Sequence, residues 1–179
     1  MTEPNLASFL ARVLHYRYLP IVLCRLSRAA LLKRVVALSR VFSYLNLVLF
    51  GLEVSPRCEI GPGIFFPHCS GTVIGAWSIG NDVTIFQGVT LGAKGLDMGF
   101  DIALRPSVGN NVLLGSGAKI LGGIHIGDNA VVGANAVALD SVPAGTLVVG
   151  IPARPLAKTQ RKTGEPNSQL CTSFSGIDE

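Results

Sequence analysis

Between Val108 and Ala136 an aliphatic residue returns at every sixth position, at Val108, Leu114, Ile120, Ile126 and Val132. A second register of smaller residues follows four positions behind it, at Val112, Ala118, Ile124, Ala130 and Ala136, and Gly stands directly after Val108, Leu114, Ile126 and Val132. A six-residue period fits neither an amphipathic helix nor a simple alternating strand. It predicts a mainly β fold of hexapeptide repeats, in which short strands and tight corners wind into a prism with the aliphatic side chains stacked inside. Composition agrees: 21 glycines and only 7% aromatic residues suit a coil of corners and aliphatic stacks.

The 179-residue chain is long enough for one sizeable core. Its net charge of +4 permits anionic partners but names none. Basic and aromatic residues do not cluster on a recognisable binding module, which argues against a nucleic-acid partner. Cys24, Cys58, Cys69 and Cys171 form no CxxC pair and no metal-ligand spacing, and the N-terminus shows no signal peptide. These features predict a reduced, cytoplasmic protein without a metal site.

The chain divides into a helical region (1–52), a repeat domain (53–158) and a polar C-terminal tail (159–179). In the first, Phe9, Val13, Tyr16 and Leu19 recur at helical spacing, Pro20 separates a first segment from the next, and a second helix is expected from Ala29 to about Leu49, ending near Gly51. No acidic residue occurs between Pro4 and Glu53, whereas Arg25, Arg28, Lys33, Arg34 and Arg40 interrupt the apolar runs. Such a hairpin either packs on the repeat domain or a neighbouring subunit, or lies peripherally on an anionic membrane surface. The repeat opens with Val54, Ile60 and Phe66, continues with Ile79, Ile85 and Leu91, and fails between Gly92 and Pro106. A loop of that length inside a repeat is a candidate functional element.

Three histidines are available. His15 sits among aromatics, and His125 alternates outward to solvent. His68 follows a break in the repeat at Phe66-Pro67, and a histidine at a corner is a candidate general base, with an unperturbed pKa of about 6.5. Glu53 stands fifteen residues earlier. At about 18 residues per three-sided coil, that puts it on the adjacent turn, roughly 4.8 Å away along the axis, with a sideways offset between them. It is the candidate carboxylate to orient His68. In the loop, Asp97, Phe100, Asp101 and Arg105 offer a ring face and hydrogen-bonding groups to an acceptor, an arrangement suited to a sugar.

The ordered run Gly51-Leu-Glu-Val-Ser-Pro56, Ile60-Gly-Pro-Gly-Ile64, His68, Ser70-Gly-Thr-Val-Ile-Gly75, Asn81-Asp-Val-Thr-Ile85, Gln87-Gly-Val-Thr-Leu-Gly92, Gly115-Ser-Gly-Ala-Lys-Ile-Leu-Gly122 and Gly150-Ile-Pro-Ala-Arg154 resembles the catalytic domain of serine acetyltransferases over residues 51–155. The resemblance implies a left-handed parallel β-helix, an exception to the usual right-handed crossover. It also implies homotrimers with active sites between subunits, and acetyl transfer from acetyl-CoA to a hydroxyl. It implies His68 as base and Glu53 where the family has an Asp. For the coenzyme it implies Gly92, Ala93, Ser116, Lys119, Ala134, Arg154 and Lys158. The departures are specific: Pro67 replaces the family's Asp before the catalytic His, Leu104-Arg105 replaces its Arg-His pair, and the loop is longer. With its short basic helical region, the chain also resembles the O-acetyltransferases of bacterial exopolysaccharide and colanic-acid-type pathways. A sugar hydroxyl is therefore the expected acceptor. The alternatives are a serine O-acetyltransferase of cysteine biosynthesis and a non-catalytic repeat scaffold.

Overall fold

The computed structural model describes residues 18–97 and 99–156. His15, Lys158 and the expected C-terminal tail therefore lie outside the described residues. Helix α1 (Leu19–Leu32) carries Pro20 in its first turn, where the missing N–H costs no hydrogen bond. Pro20 thus stands at the start of α1, and the segment expected before it lies outside the described residues. The chain reverses through Lys33–Val35, with Arg34 in the left-handed region at φ 61°, and α2 runs Val36–Phe50. The expected helix from Ala29 is corrected accordingly, since Ala29–Leu32 complete α1. Gly51 ends α2 at φ 62°, its N–H bonded to Leu47 O at 2.9 Å.

Short strands follow: β1 (Leu52–Val54), β2 (Glu59–Ile60), β3 (Thr72–Ile74), β4 (Ser78–Ile79), β5 (Thr84–Ile85), β6 (Thr90–Gly92), β7 (Ser107–Val108), β8 (Leu113–Leu114), β9 (Lys119–Leu121), β10 (His125–Ile126), β11 (Val131–Val132), β12 (Val137–Ala138), β13 (Leu147–Val149) and β14 (Arg154–Pro155). They assemble into three sheets: a first of β1, β3, β6, β9 and β12, a second of β2, β4, β7 and β10, and a third of β5, β8, β11 and β13, closed by β14. Within each sheet the strands of successive turns pair in parallel, and only β14 is antiparallel. The chain visits the sheets in rotation, with the single bridges Phe65–Thr84 and Ile126–Val142 standing in for a strand in the first and last coils.

Strands of two or three residues have too few contacts to stand alone. Register supplies what length does not. Ile74 aligns with Leu91, Leu91 with Ile120, and Ile120 with Ala138. Ile79, Val108 and Ile126 align on the second sheet, and Ile85, Leu114, Val132 and Val148 on the third. The six-residue register is the buried core: Leu114, Ile120, Ile126 and Val132 are fully enclosed, as are Ala118, Ala130 and Ala136 of the companion register.

The helical hairpin is fastened to the first coil by two arginines of α1. Arg25 donates to the carbonyls of Ile60 and Gly61. Arg28 donates to the carbonyls of Arg57 and Cys58 and pairs with the Glu59 carboxylate at 2.9 Å. Burial pushes the thiols of Cys24 and Cys58 up to about 12, so both stay protonated near neutrality and act as packing groups.

Leu114 sits mid-stack with neighbours above and below. Leu114→Ala should cost about 2–5 kcal/mol by leaving a cavity the stack cannot close, whereas Leu113→Ala, on the outer side of the same strand, should cost far less. Thermal or urea unfolding of the two variants checks the difference.

Candidate active site

The repeat is first interrupted at the edge between the third and first sheets. Three residues separate the inward-facing pairs Ile85–Val89, Leu114–Ala118 and Val132–Ala136, but five separate Phe66 from Thr72. The two extra residues widen the corner Pro67-His68-Cys69-Ser70-Gly71, and His68 and Ser70 project into solvent while Pro67 and Cys69 stay half-buried. Cys69 Sγ lies 3.7 Å from Phe50 O, which ties the corner to the end of α2. A cavity of about 430 Å³ opens there, lined by Pro20, Leu49, Phe50, Gly51, Phe66, Pro67, His68, Cys69 and Ser70. Its wall is aliphatic and aromatic, and His68 is its one imidazole, with no carboxylate and no cation beside it.

Glu53 occupies the outward, exposed position of β1, in register with Val73. His68 lies five residues before Val73, round the corner, and no hydrogen bond or ion pair joins it to Glu53 among the described residues. The single chain therefore places the expected base and the expected carboxylate on neighbouring coils without pairing them.

The loop after β6 lies on a different edge, between the first and second sheets, and its polar side chains are turned inward. Arg105 Nε and Nη2 meet the Asp97 carboxylate at 2.8 Å, and Nη1 reaches Gly75 O at 2.9 Å. That approach requires glycine at 75, because a Cβ there would sit 2.6 Å from the guanidinium. The ion pair is nearly enclosed, with the side chains 13% and 5% exposed. Phe100 stacks beneath Arg105 at 4.1 Å, with Arg57 at 5.7 Å on the same ring, and Arg57 also donates to Gly99 O. Asp101 accepts from Ala103 N at 2.9 Å and caps a short 3-10 turn, Ile102–Leu104. Asp97, Phe100, Asp101 and Arg105, expected to contact an acceptor, are here engaged with one another and build the loop's own core. Leu96, Ile102 and Leu104 are left outward, Leu96 at 92% exposure.

The coenzyme candidates fall on both edges of the first sheet. Ser116 and Ala134 stack in one column with Gln87, since Gly117 N bonds Gln87 O and Asn135 N bonds Ser116 O, each at 2.8 Å. Gly92 and Ala93 stand on the opposite edge, and an added Cβ at Gly92 would meet no atom within 4 Å, so the backbone there is open to approach. Lys119 Nζ is held by Gly88 O at 2.6 Å and Thr90 Oγ1 at 3.1 Å across the first sheet. Arg154 faces solvent opposite Asp140 at 3.3 Å. His125, read as a solvated residue, is exposed with Nδ1 2.9 Å from Ser107 Oγ. Sequence reasoning passed over two residues. Arg57 pins the loop from the first coil, two turns before it. Gln87 stands in a column otherwise made of Ser and Ala, and its side-chain oxygen is enclosed without a hydrogen-bond partner. A long polar residue in a small-residue column was its available signal. No three metal-ligating side chains converge among the described residues.

The bacterial transferase hexapeptide (six repeats) family matches residues 105–138. The serine acetyltransferase of Helicobacter pylori is 42% identical over 139 residues, which span 76% of this chain and 80% of that protein. The chain belongs to the serine acetyltransferase family. Among solved structures, a serine acetyltransferase in complex with CoA is 35% identical with a TM-score of 0.70, covering 78% of this chain and 56% of that one. The soybean serine acetyltransferase complexed with serine is 34% identical with a TM-score of 0.75, covering 86% and 64%. This family member thus spans about three fifths of the solved chains that it matches.

The loop's order depends on charge. Desolvation would raise the Asp97 carboxyl, but the Asp101 N–H, the Arg105 guanidinium and the Gly99 N–H together hold it below the usual aspartate value. A depressed carboxyl contributes order above its unfolded pKa of about 3.9, and that contribution is lost as pH falls through the lower folded value. Hydrogen exchange at the Gly99 and Asp101 amides should therefore be slow at neutral pH and accelerate below about pH 4 relative to amides of the coil. Asp97→Asn should reproduce the fast exchange at neutral pH, by about tenfold.

Proposed function

We propose that the chain is a serine O-acetyltransferase that transfers the acetyl group of acetyl-CoA to the hydroxyl of L-serine, with His68 as general base. The family is one of acyltransferases that use acetyl-CoA as co-substrate. The observation that carries serine as acceptor is the 42% identity over 139 residues to a serine acetyltransferase of similar length. In the reaction the imidazole takes the hydroxyl proton as the oxygen attacks the thioester carbonyl. The tetrahedral adduct collapses with cleavage of the C–S bond, and the proton passes to the departing thiolate, returning neutral His68. Glu53 would serve as a positioning group for the imidazole once the two are brought into contact.

We infer a left-handed coil and a trimeric assembly, as the family resemblance implies. The arrangement of the single chain supports the trimer. His68, Ser116 and Ala134 lie on one edge of the first sheet and Gly92, Ala93 and the loop on the other, so a site using both sets is completed by a neighbouring copy. The outward apolar face of the loop, with Ile102 and Leu104 about half exposed, is suited to such a contact.

A sugar hydroxyl is the second reading, and specific residues favour it. Pro67 and Leu104 stand where the family places charged groups, and the cavity wall beside His68 carries none. Selecting a small zwitterion requires fixed partners for both its charged ends.

Thiol release from acetyl-CoA with L-serine, nucleotide sugars and oligosaccharides separates the readings. Serine should be the efficient acceptor, and a saccharide far exceeding it would replace that reading. His68→Ala should lower turnover roughly 10²–10⁴-fold without altering the melting temperature. Glu53→Gln should lower turnover and shift the pH–rate profile while CoA binding is kept, and an unchanged profile would remove its positioning role. Light scattering should report a trimer, and a stable monomer at micromolar concentration that retains full turnover would exclude a shared site.

A further inference from the structure

The helical hairpin is built inside out for a helix pair in water. Its seam holds polar and small residues beside the buried Leu23 and Ala30 of α1: Ser27 Oγ donates to Ser39 O at 2.9 Å and meets Ser39 Oγ at 3.1 Å and Ser43 Oγ at 2.8 Å. Asn46 Nδ2 reaches across to Pro20 O and to Cys24 Sγ, each at 3.1 Å. Ser27, Ser39 and Asn46 are 2%, 1% and 2% exposed, and Ser39 and Asn46 are the only buried residues of α2. The opposite side of α2 is aliphatic. Val41 and Val48 are 51% and 60% exposed, and Tyr44, one turn from each, is 66% exposed. A surface helix in water turns its apolar stripe to its neighbour and its polar side out. Small and hydroxylated residues in the seam with aliphatics outside is the pattern of helix pairs whose surroundings are lipid.

Charge carries the second, independent observation. From Tyr18 to Leu52 there is no acidic residue. Arg25 and Arg28 are spent on the first coil, but Lys33, Arg34 and Arg40, at the hairpin bend and the first turns of α2, are exposed and form no ion pair among the described residues. Two hairpins packed on each other would bring these cations together with no acid between them. An anionic lipid surface supplies both the apolar medium for α2 and the counter-charge for its basic end. No helix among the described residues is long and apolar enough to cross a membrane. At about 1.5 Å per residue, α2 reaches roughly 22 Å, short of a hydrocarbon core of about 30 Å.

We propose that the outer face of α2 lies in the plane of an anionic membrane surface, with Ala37, Val41, Tyr44 and Val48 at the acyl boundary and Lys33, Arg34 and Arg40 at the headgroups. Leu49 and Phe50 at the end of α2 line the cavity beside His68, so docking sets the candidate active site next to the lipid. The proposal does not rest on the identity of the acceptor, and its test does not read acetyl transfer.

The full chain is sedimented with vesicles of phosphatidylcholine alone and of phosphatidylcholine mixed with phosphatidylglycerol, at low and high salt. It should bind the anionic vesicles, weakly or not at all the neutral ones, and release with salt. Val41→Glu combined with Val48→Glu should abolish binding while melting temperature and particle mass stay those of the wild type. Replacing Lys33, Arg34 and Arg40 by Gln, which leaves the apolar face intact, should weaken binding by about fivefold per charge. If the double variant breaks the assembly into smaller particles, the face is an interface with a second copy and the proposal fails. Failure of the wild type to bind either vesicle, or binding undiminished in both variants, overturns it equally.

Discussion

Everything in the coil depends on like side chains stacking in register from one turn to the next. Ile74, Leu91, Ile120 and Ala138 form one such column and Ile85, Leu114, Val132 and Val148 another. Each strand is too short to hold itself, so its stability comes from the turns above and below. The corners must therefore repeat at fixed spacing, because a single shifted residue would turn an inward aliphatic outward. That demand leaves the repeat little room for polar chemistry.

Function-bearing features occur where the stacking demand is relaxed. The corner after Phe66 holds two residues more than its counterparts, and they carry His68 out of the wall. The loop after Gly92 leaves the first sheet and returns at Pro106 without disturbing the register of Leu91 with Ile120. Its order comes from Arg105, whose guanidinium satisfies a carboxylate, a backbone carbonyl and a ring face together, and a side chain so engaged is a poor ligand for anything else. These interruptions project from separate edges of the prism, so the single chain does not bring His68 and the loop together.

The hairpin follows a different rule. Its two arginines on α1 reach carbonyls at a coil corner and fix its seat, while the serine and asparagine seam holds α1 to α2. Val41, Tyr44 and Val48 on the outer side of α2 stay exposed among the described residues. A fold whose core is satisfied internally thus carries one element whose aliphatic side is offered to its surroundings.

The six-residue period alone determined the three-sided coil and its buried residues, from Val108 through Val132, because which side chain points inward is a local property of strand and corner. The break at Phe66-Pro67 likewise marked His68, and the failure of the repeat marked the loop. Tertiary structure decided what spacing does not encode. Glu53 and His68, fifteen residues apart, fall on neighbouring coils but on opposite sides of a corner, since the widened turn displaces the histidine. Asp97 and Arg105 pair with each other rather than facing outward, because a glycine at 75 on the neighbouring coil leaves room for the guanidinium. The turn between α1 and α2 falls at Lys33–Val35, inside the helix expected from Ala29, where Arg34 adopts the left-handed conformation. That the serines of α1 and α2 face each other emerged only from packing: periodicity gives the angle between residues on a helix, but not which side meets its neighbour.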